Sequence, residues 1–219
     1  MRKLLTILLL TFSTTVFAQV AEKKDLVDFL PEGYDIFEKI DGDLNKDGLE
    51  DNVLVIKGTD ISKVKTDEDR GELDRNRRGI IVLFNTNGNY ELALENYECL
   101  NSENEDGGVY FPPELSVKIE KENLYFHFGH GRYGSWEYTF RFQNSEFELI
   151  GYDETSKRGP VTDRKTSINF LTRKKHEKVN TYENELDEVF KETWTTIEVK
   201  RLIKLSEIKD FDELDMTVD

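Results

Sequence analysis

The chain of 219 residues carries 45 acidic against 30 basic side chains, a net charge of −15 that repels phosphate backbones and anionic lipid and so excludes nucleic acid as a partner. Its single cysteine, Cys99, excludes an internal disulfide and has no His or cationic neighbour in sequence, so it reads as a small buried hydrophobe and not as a reactive thiol.

Arg2 and Lys3 precede an apolar run from Leu4 to Phe12, and the segment ends in Val16-Phe17-Ala18. That is the layout of a secretory signal cleaved after Ala18. The run is short of the roughly 20 apolar residues a spanning helix needs, and Gln19 stands where a lipid anchor would need Cys. Residues 1–18 are therefore expected to leave a periplasmic or extracellular protein with no stable membrane anchor. Loss of Arg2 and Lys3 makes the remainder still more acidic. About 200 residues remain, enough for one sizeable core. No linker rich in Pro and Ser divides them, so 19–219 is expected to be a single β domain.

The first element is a short helical lead from Ala21 to Phe29, with Leu26, Val27 and Leu30 on one face and Pro31 as its stop. From Tyr34 the apolar period becomes two, the strand signal. A strand is expected near Val53 to Lys57, and Ile80 to Phe84 turns through Thr86-Asn87-Gly88-Asn89 into Tyr90 to Leu94. Leu115, Val117 and Ile119 then pair through Glu120 to Asn123 with Leu124, Phe126 and Phe128. Trp136, Tyr138, Phe140 and Phe142 form the clearest alternation and mark a core face, and Asn144-Ser145 turns the chain into Phe147 to Tyr152. Further strands are expected at Ser167 to Leu171 and Thr196 to Leu205, and a closing helix at Ser206 to Leu214 before an acidic tail. Gly58 to Arg78 and Thr172 to Glu188 are too polar to read as regular elements. Tight turns connect only antiparallel neighbours. The fold class is thus mainly β, an antiparallel meander of hairpins, propeller-like or an open curled sheet, with short terminal helices.

One loop carries chemistry. Residues 41–52 hold Asp43, Asn45, Asp47 and Asp51, side-chain oxygens spaced two, two and four apart, with Gly48 permitting a sharp bend after the third. A hard cation such as calcium takes six to eight oxygens, and a carbonyl near Leu49 with water would complete that set. The metal ligands expected are Asp43, Asn45, Asp47, Leu49 and Asp51. The spacing departs from an EF-hand, whose bidentate Glu would fall at Leu54, and a strand-like Asn52-Val53-Leu54-Val55-Ile56 follows where a helix would stand. Without metal the same residues form an Asx-rich turn.

Gly42 to Val55 resembles the calcium loop of the FG-GAP type found in integrin-like and bacterial β-propeller repeats. Those repeats come in arrays, whereas this chain holds one loop. Phe29-Leu30-Pro31-Glu32-Gly33-Tyr34, the loop itself, Asn76-Arg77-Arg78, Tyr138 to Phe142 with Phe147 to Tyr152, and Ser167 to Leu171 together are similar to uncharacterised exported bacterial proteins. That resemblance implies one domain built around an ion loop and carries no activity.

His127 and His130 flank a Gly-rich connection and could serve as acid and base or bind a transition metal, with Glu137 or Asp106 as oxygen partner. Odd spacing sends strand residues to opposite faces, and a glycine-rich turn accounts for the segment equally. The aromatic and glycine residues from Asp106 to Glu114 offer a surface for a protein or glycan. The functional expectation is an exported calcium-binding β protein, non-enzymatic, with an unknown protein or carbohydrate as partner. The alternative is a hydrolase using the His127 and His130 region.

Overall fold

The computed structural model describes residues 25–107, 109, 111–183 and 188–216. The signal segment, the start of the leading helix and the end of the acidic tail lie outside the described residues. A 3-10 turn, Leu26–Phe29, is capped by the Asp25 carboxylate, which accepts from the Val27 N–H. Strands β1 (Tyr34–Gly42) and β2 (Asp51–Gly58) form a hairpin around the 43–50 loop. The connection that follows holds a small hairpin of its own, β3 (Val64–Asp67) with β4 (Gly71–Asp74). Next come β5 (Arg78–Asn85) and β6 (Tyr90–Leu100), which complete a four-stranded antiparallel sheet in the order β1-β2-β5-β6.

The second half is a meander without crossovers: β7 (Glu114–Glu120), β8 (Asn123–Gly129), β9 (Gly134–Gln143), β10 (Glu146–Arg158), β11 (Val161–Asn169), β12 (Lys174–Asn180) and β13 (Phe190–Thr196). From β8 to β13 each strand pairs antiparallel with the one before it, in one seven-stranded open sheet. The fold is mainly β; among the described residues there is no closed barrel, and only 3-10 turns stand where short terminal helices were expected.

Alternation decides how the sheets meet. Val53, Val55, Ile80 and Val82 of the small sheet join Phe126, Phe128, Tyr138, Phe140, Phe147 and Leu149 of the large one in the main core. The intervening Leu54, Ile56, Ile81 and Leu83 point the other way, into a second cluster with Leu26, Phe29 and Leu30 of the leading turn. Both faces of β2 and β5 are therefore covered, which is why Val53 to Ile56 and Ile80 to Leu83 read as unbroken apolar runs. Each such side chain taken out of water contributes about 1.5–3 kcal/mol.

The expected closing helix is instead two 3-10 turns, Leu205–Glu207 and Phe211–Glu213. They bring Phe211 into the core, 4.9 Å from the Phe126 ring and 5.2 Å from that of Tyr138. Asn96 Nδ2 donates to the carbonyls of Leu205 at 2.9 Å and Ile208 at 2.7 Å and pins the segment down. The strand expected at Thr196 to Leu205 is β13, six residues earlier at its start, followed by irregular chain with one bridge between Glu148 and Lys204. The polar Thr172 to Glu188 stretch contains β12.

Gly134 opens β9 with φ +119°, and a Cβ there would stand 1.8 Å from the Thr155 carbonyl oxygen. Only glycine lets β10 approach so closely.

Cys99 is fully buried, and burial pushes its thiol pKa up to about 12. Its thiolate is thus scarce and inaccessible at mildly alkaline pH. A thiol reagent is expected to leave the folded protein unlabelled and to modify one thiol per chain in denaturant. Labelling of the native protein at the denatured rate would show instead that the β5–β6 end opens freely.

Candidate metal centre

The 43–50 loop leaves the sheet at the last ladder pair of the first hairpin, Gly42 opposite Asp51. Its shape follows from nested side-chain to backbone bonds. Asp43 accepts from Lys46 N–H at 2.7 Å through Oδ1 and from Gly48 N–H at 3.0 Å through Oδ2. Asn45 Oδ1 accepts from Asp47 N–H at 2.9 Å, and Asp47 Oδ1 from Leu49 N–H at 2.8 Å. These are successive Asx turns, the local conformation that short oxygen side chains favour. Lys46 at φ 70° and Gly48 at φ 84° supply the left-handed bends. Leu44, 1% exposed, anchors the loop in the main core, and Leu49 is half-buried.

Asp51 lies beneath this loop with no solvent exposure. Its Oδ2 accepts from the N–H groups of Leu44 at 2.8 Å and Asn45 at 3.3 Å, and its Oδ1 from that of Asn85 at 3.0 Å. Asn85 Nδ2 in turn donates to the Glu50 carbonyl at 3.2 Å. One carboxylate thus ties the loop to the end of β5. Burial raises its pKa above the usual value, and the nearby Asp47 charge adds to this against the three backbone bonds that oppose it. Two cations near the loop in sequence are engaged elsewhere: Lys39 on β1 pairs with Asp41 at 2.6 Å and Lys46 in the loop with Glu122 at 3.3 Å. Among the described residues no cation pairs with Asp43, Asp47 or Asp51.

The donor set is all oxygen, which suits calcium or magnesium and not a thiolate- or imidazole-seeking ion. Asp43, Asn45 and Asp47 belong to one interlocked turn, with Asn45 Nδ2 donating to Asp47 Oδ2 at 3.0 Å. Among the described residues no three His, Cys, Asp or Glu side chains gather around one point.

No family model, curated protein or solved structure matches the chain.

The two histidines are not brought together. His127 lies on the outer face of β8 opposite Glu137, with Nδ1 3.6 Å from Oε2, and Lys118 reaches the same carboxylate at 3.4 Å. His130 lies beyond the strand end, its ring 4.9 Å from that of Tyr133 and its buried Nε2 without a hydrogen-bond partner among the described residues. It lines an open cavity of about 360 Å³ with Phe111, Pro112, Glu114, Arg132 and Tyr133, which His127 does not reach. Register reveals what sequence spacing does not. Ser116, His127, Glu137, Asp153, Ser167, His176 and Trp194 are successive direct partners and so form one row across the outer face of all seven strands.

Proposed function

We propose that this is an exported, calcium-stabilised β protein that acts by binding a partner and not by catalysis. The observation that supports it is Asp51: a fully buried carboxylate at the foot of the loop that accepts from the Leu44, Asn45 and Asn85 N–H groups and has no cationic partner among the described residues. A buried charge without a countercharge is costly. A divalent cation held by the loop oxygens would supply that countercharge and fix the turn into β2. Asp43, Asn45 and Asp47 would hold it, with the Leu49 carbonyl and Asp51 as the remaining protein oxygens. The FG-GAP resemblance of Gly42 to Val55 points to the same ion. For the rival reading, a hydrolase using the His127 and His130 region, His127 pairs with Glu137 on the outer face of β8 while His130 lines the cavity with Glu114, so any acid–base pair there would be built on His130.

Calorimetric titration with calcium is expected to show binding with Kd on the order of 0.1–1 mM, as in extracellular modules. At ten times Kd the melting point should rise by the equivalent of about 1.4 kcal/mol, and Asp43→Ala should remove that increment. Neither heat nor a melting shift at saturating calcium would end the proposal.

A further inference from the structure

The tip of the β5–β6 hairpin holds the chain's one Asn-Gly pair, Asn87-Gly88. Asparagine is among the thermolabile residues, and a glycine after it leaves the next backbone nitrogen unshielded by a side chain. Both residues are exposed and left-handed, Asn87 at φ 59° and Gly88 at φ 93°. A Cβ placed on Gly88 would meet no atom within 4 Å. The reacting groups of this pair therefore stand open to water, with no wall of protein around them.

The reaction needs only these two residues and water. The Gly88 nitrogen, its proton taken by hydroxide, attacks Asn87 Cγ. The Asn87 side-chain nitrogen leaves with a proton as ammonia, and a five-membered succinimide ring closes. Water then opens either ring carbonyl, giving aspartate from one and isoaspartate from the other. One water is consumed and one ammonia released, and no oxidant or cofactor enters. Both products add a negative charge, and the isoaspartyl linkage lengthens the loop by one backbone atom.

One contact opposes the attack. Gly88 N–H donates to Asn85 Oδ1 at 2.9 Å. While that bond is made, the proton is withheld from base and the nitrogen cannot turn onto Cγ. Asn85 is itself held from three sides. Its N–H donates to the buried Asp51 carboxylate at 3.0 Å and its Nδ2 to the Glu50 carbonyl at 3.2 Å, and it faces Tyr90 in the last pair of the β5–β6 ladder. Thr86 N–H donates to the Asn89 carbonyl at 2.8 Å and closes the loop across its base.

We infer that Asn87 is a spontaneous deamidation site whose rate is set by Asn85, a positioning residue that keeps the Gly88 nitrogen from attacking. Deamidation at Asn87 and hydrogen exchange at the Gly88 amide both wait for the same bond to open, so one local opening equilibrium governs both rates. Neither calcium nor a binding partner enters into this.

The test is incubation of the full chain in warm, mildly alkaline buffer. Peptide mapping by mass spectrometry follows aspartate and isoaspartate at position 87, and hydrogen exchange follows the Gly88 amide. Conversion at Asn87 is expected in the native protein, more slowly than in the urea-unfolded chain. Asn85→Ala should speed both conversion and Gly88 exchange by the same factor, roughly three- to tenfold for the loss of one hydrogen bond. Asn85→Asp, which keeps the acceptor oxygen, should stay near the wild-type rate. Exchange of the Ile80 to Leu83 amides, in the same data, reports whether Asn85→Ala has loosened the sheet. Several results would overturn the inference: no conversion at Asn87 in native wild type and Asn85→Ala alike, equal conversion rates in those two proteins, or faster conversion without faster Gly88 exchange. So would an Asn85→Ala effect that speeds the Ile80 to Leu83 amides as much as Gly88, which would place the control in global unfolding and not in this bond.

Discussion

Asp51→Ala is expected to destabilise the protein by about 3 kcal/mol or more, in calcium and in chelator alike. The change orphans the N–H groups of Leu44, Asn45 and Asn85, and Leu44 is itself in the core. An unsatisfied buried donor costs about 1–3 kcal/mol. Relief from burying a carboxylate, whose pKa burial already raises, offsets part of this. Asp51→Asn should fall between the two, since its one acceptor oxygen can replace only part of the set and its NH₂ would face N–H donors. Asp47→Ala behaves differently. Asp47 is exposed and accepts one backbone bond, from Leu49, and one from the Asn45 amide, so its loss should cost on the order of 1 kcal/mol in chelator. In calcium it should abolish the stabilising increment as well. Urea denaturation of the three variants with and without calcium separates the roles: Asp51 as the pivot of the loop, Asp47 as a ligand. An Asp51→Ala protein within about 1 kcal/mol of wild type would remove the pivot. An Asp47→Ala protein with the full calcium response would place the ion elsewhere.

The parts of this design that local chemistry dictates were legible in the residues. Trp136, Tyr138, Phe140 and Phe142 announce a core face, and all four lie in or against the main cluster. Asn144 and Ser145 announce a two-residue hairpin, and both take left-handed φ, 53° and 61°, between the paired Gln143 and Glu146. The Asx spacing of the 43–50 loop likewise predicts its nested turns. What stayed hidden depends on distant partners. β12 and β13 carry no apolar alternation because they run past the region the small sheet covers, so neither face is buried enough to require it. Phe211 reaches the centre of the core through carbonyls pinned by Asn96, more than a hundred residues earlier. Spacing puts Asp51 among the metal ligands, but its bond from the Asn85 N–H at the end of β5 joins residues 34 apart and leaves no local signal. The row from Ser116 to Trp194 likewise exists only once seven registers are set.

Lys57→Met is expected to cost about 1–3 kcal/mol, less than removing one partner of a fully buried ion pair, because the Asp74 and Glu103 carboxylates it leaves behind are 41% and 36% exposed. Lys57 stands at the opposite end of β2 from Asp51, its side chain 10% exposed. Its Nζ lies 2.9 Å from Asp74 Oδ2 and 2.5 Å from Glu103 Oε1. Beside it Arg78, also buried, donates to the Asn101 carbonyl at 2.7 Å, while its Nε is 3.9 Å from Glu103. Phe37 lies beneath both cations, 5.7 Å from Lys57 and 5.4 Å from Arg78. Methionine would keep the packing of the stem but leave Glu103 with Arg78 as its one cation, at 3.9 Å, and a 3.4 Å bond from Asn104 Nδ2, while Glu103 Oε2 has no hydrogen-bond partner among the described residues. Adding Glu103→Gln should therefore restore part of the loss, so the double variant is expected to be less destabilised than the sum of the singles. Acid gives a second readout. Burial alone would raise the Asp74 pKa, but hydrogen bonds from Asn76 and Lys57 and the Lys57 charge together hold it below 3.8. A depressed carboxyl stabilises the fold above its unfolded pKa, and that stability disappears as pH falls through the folded value. Wild type should accordingly lose more stability than Lys57→Met between neutral pH and about pH 3. Additive single and double changes, or equal acid sensitivity, would show that the cluster holds the 59–78 and 101–106 loops by packing and not by charge.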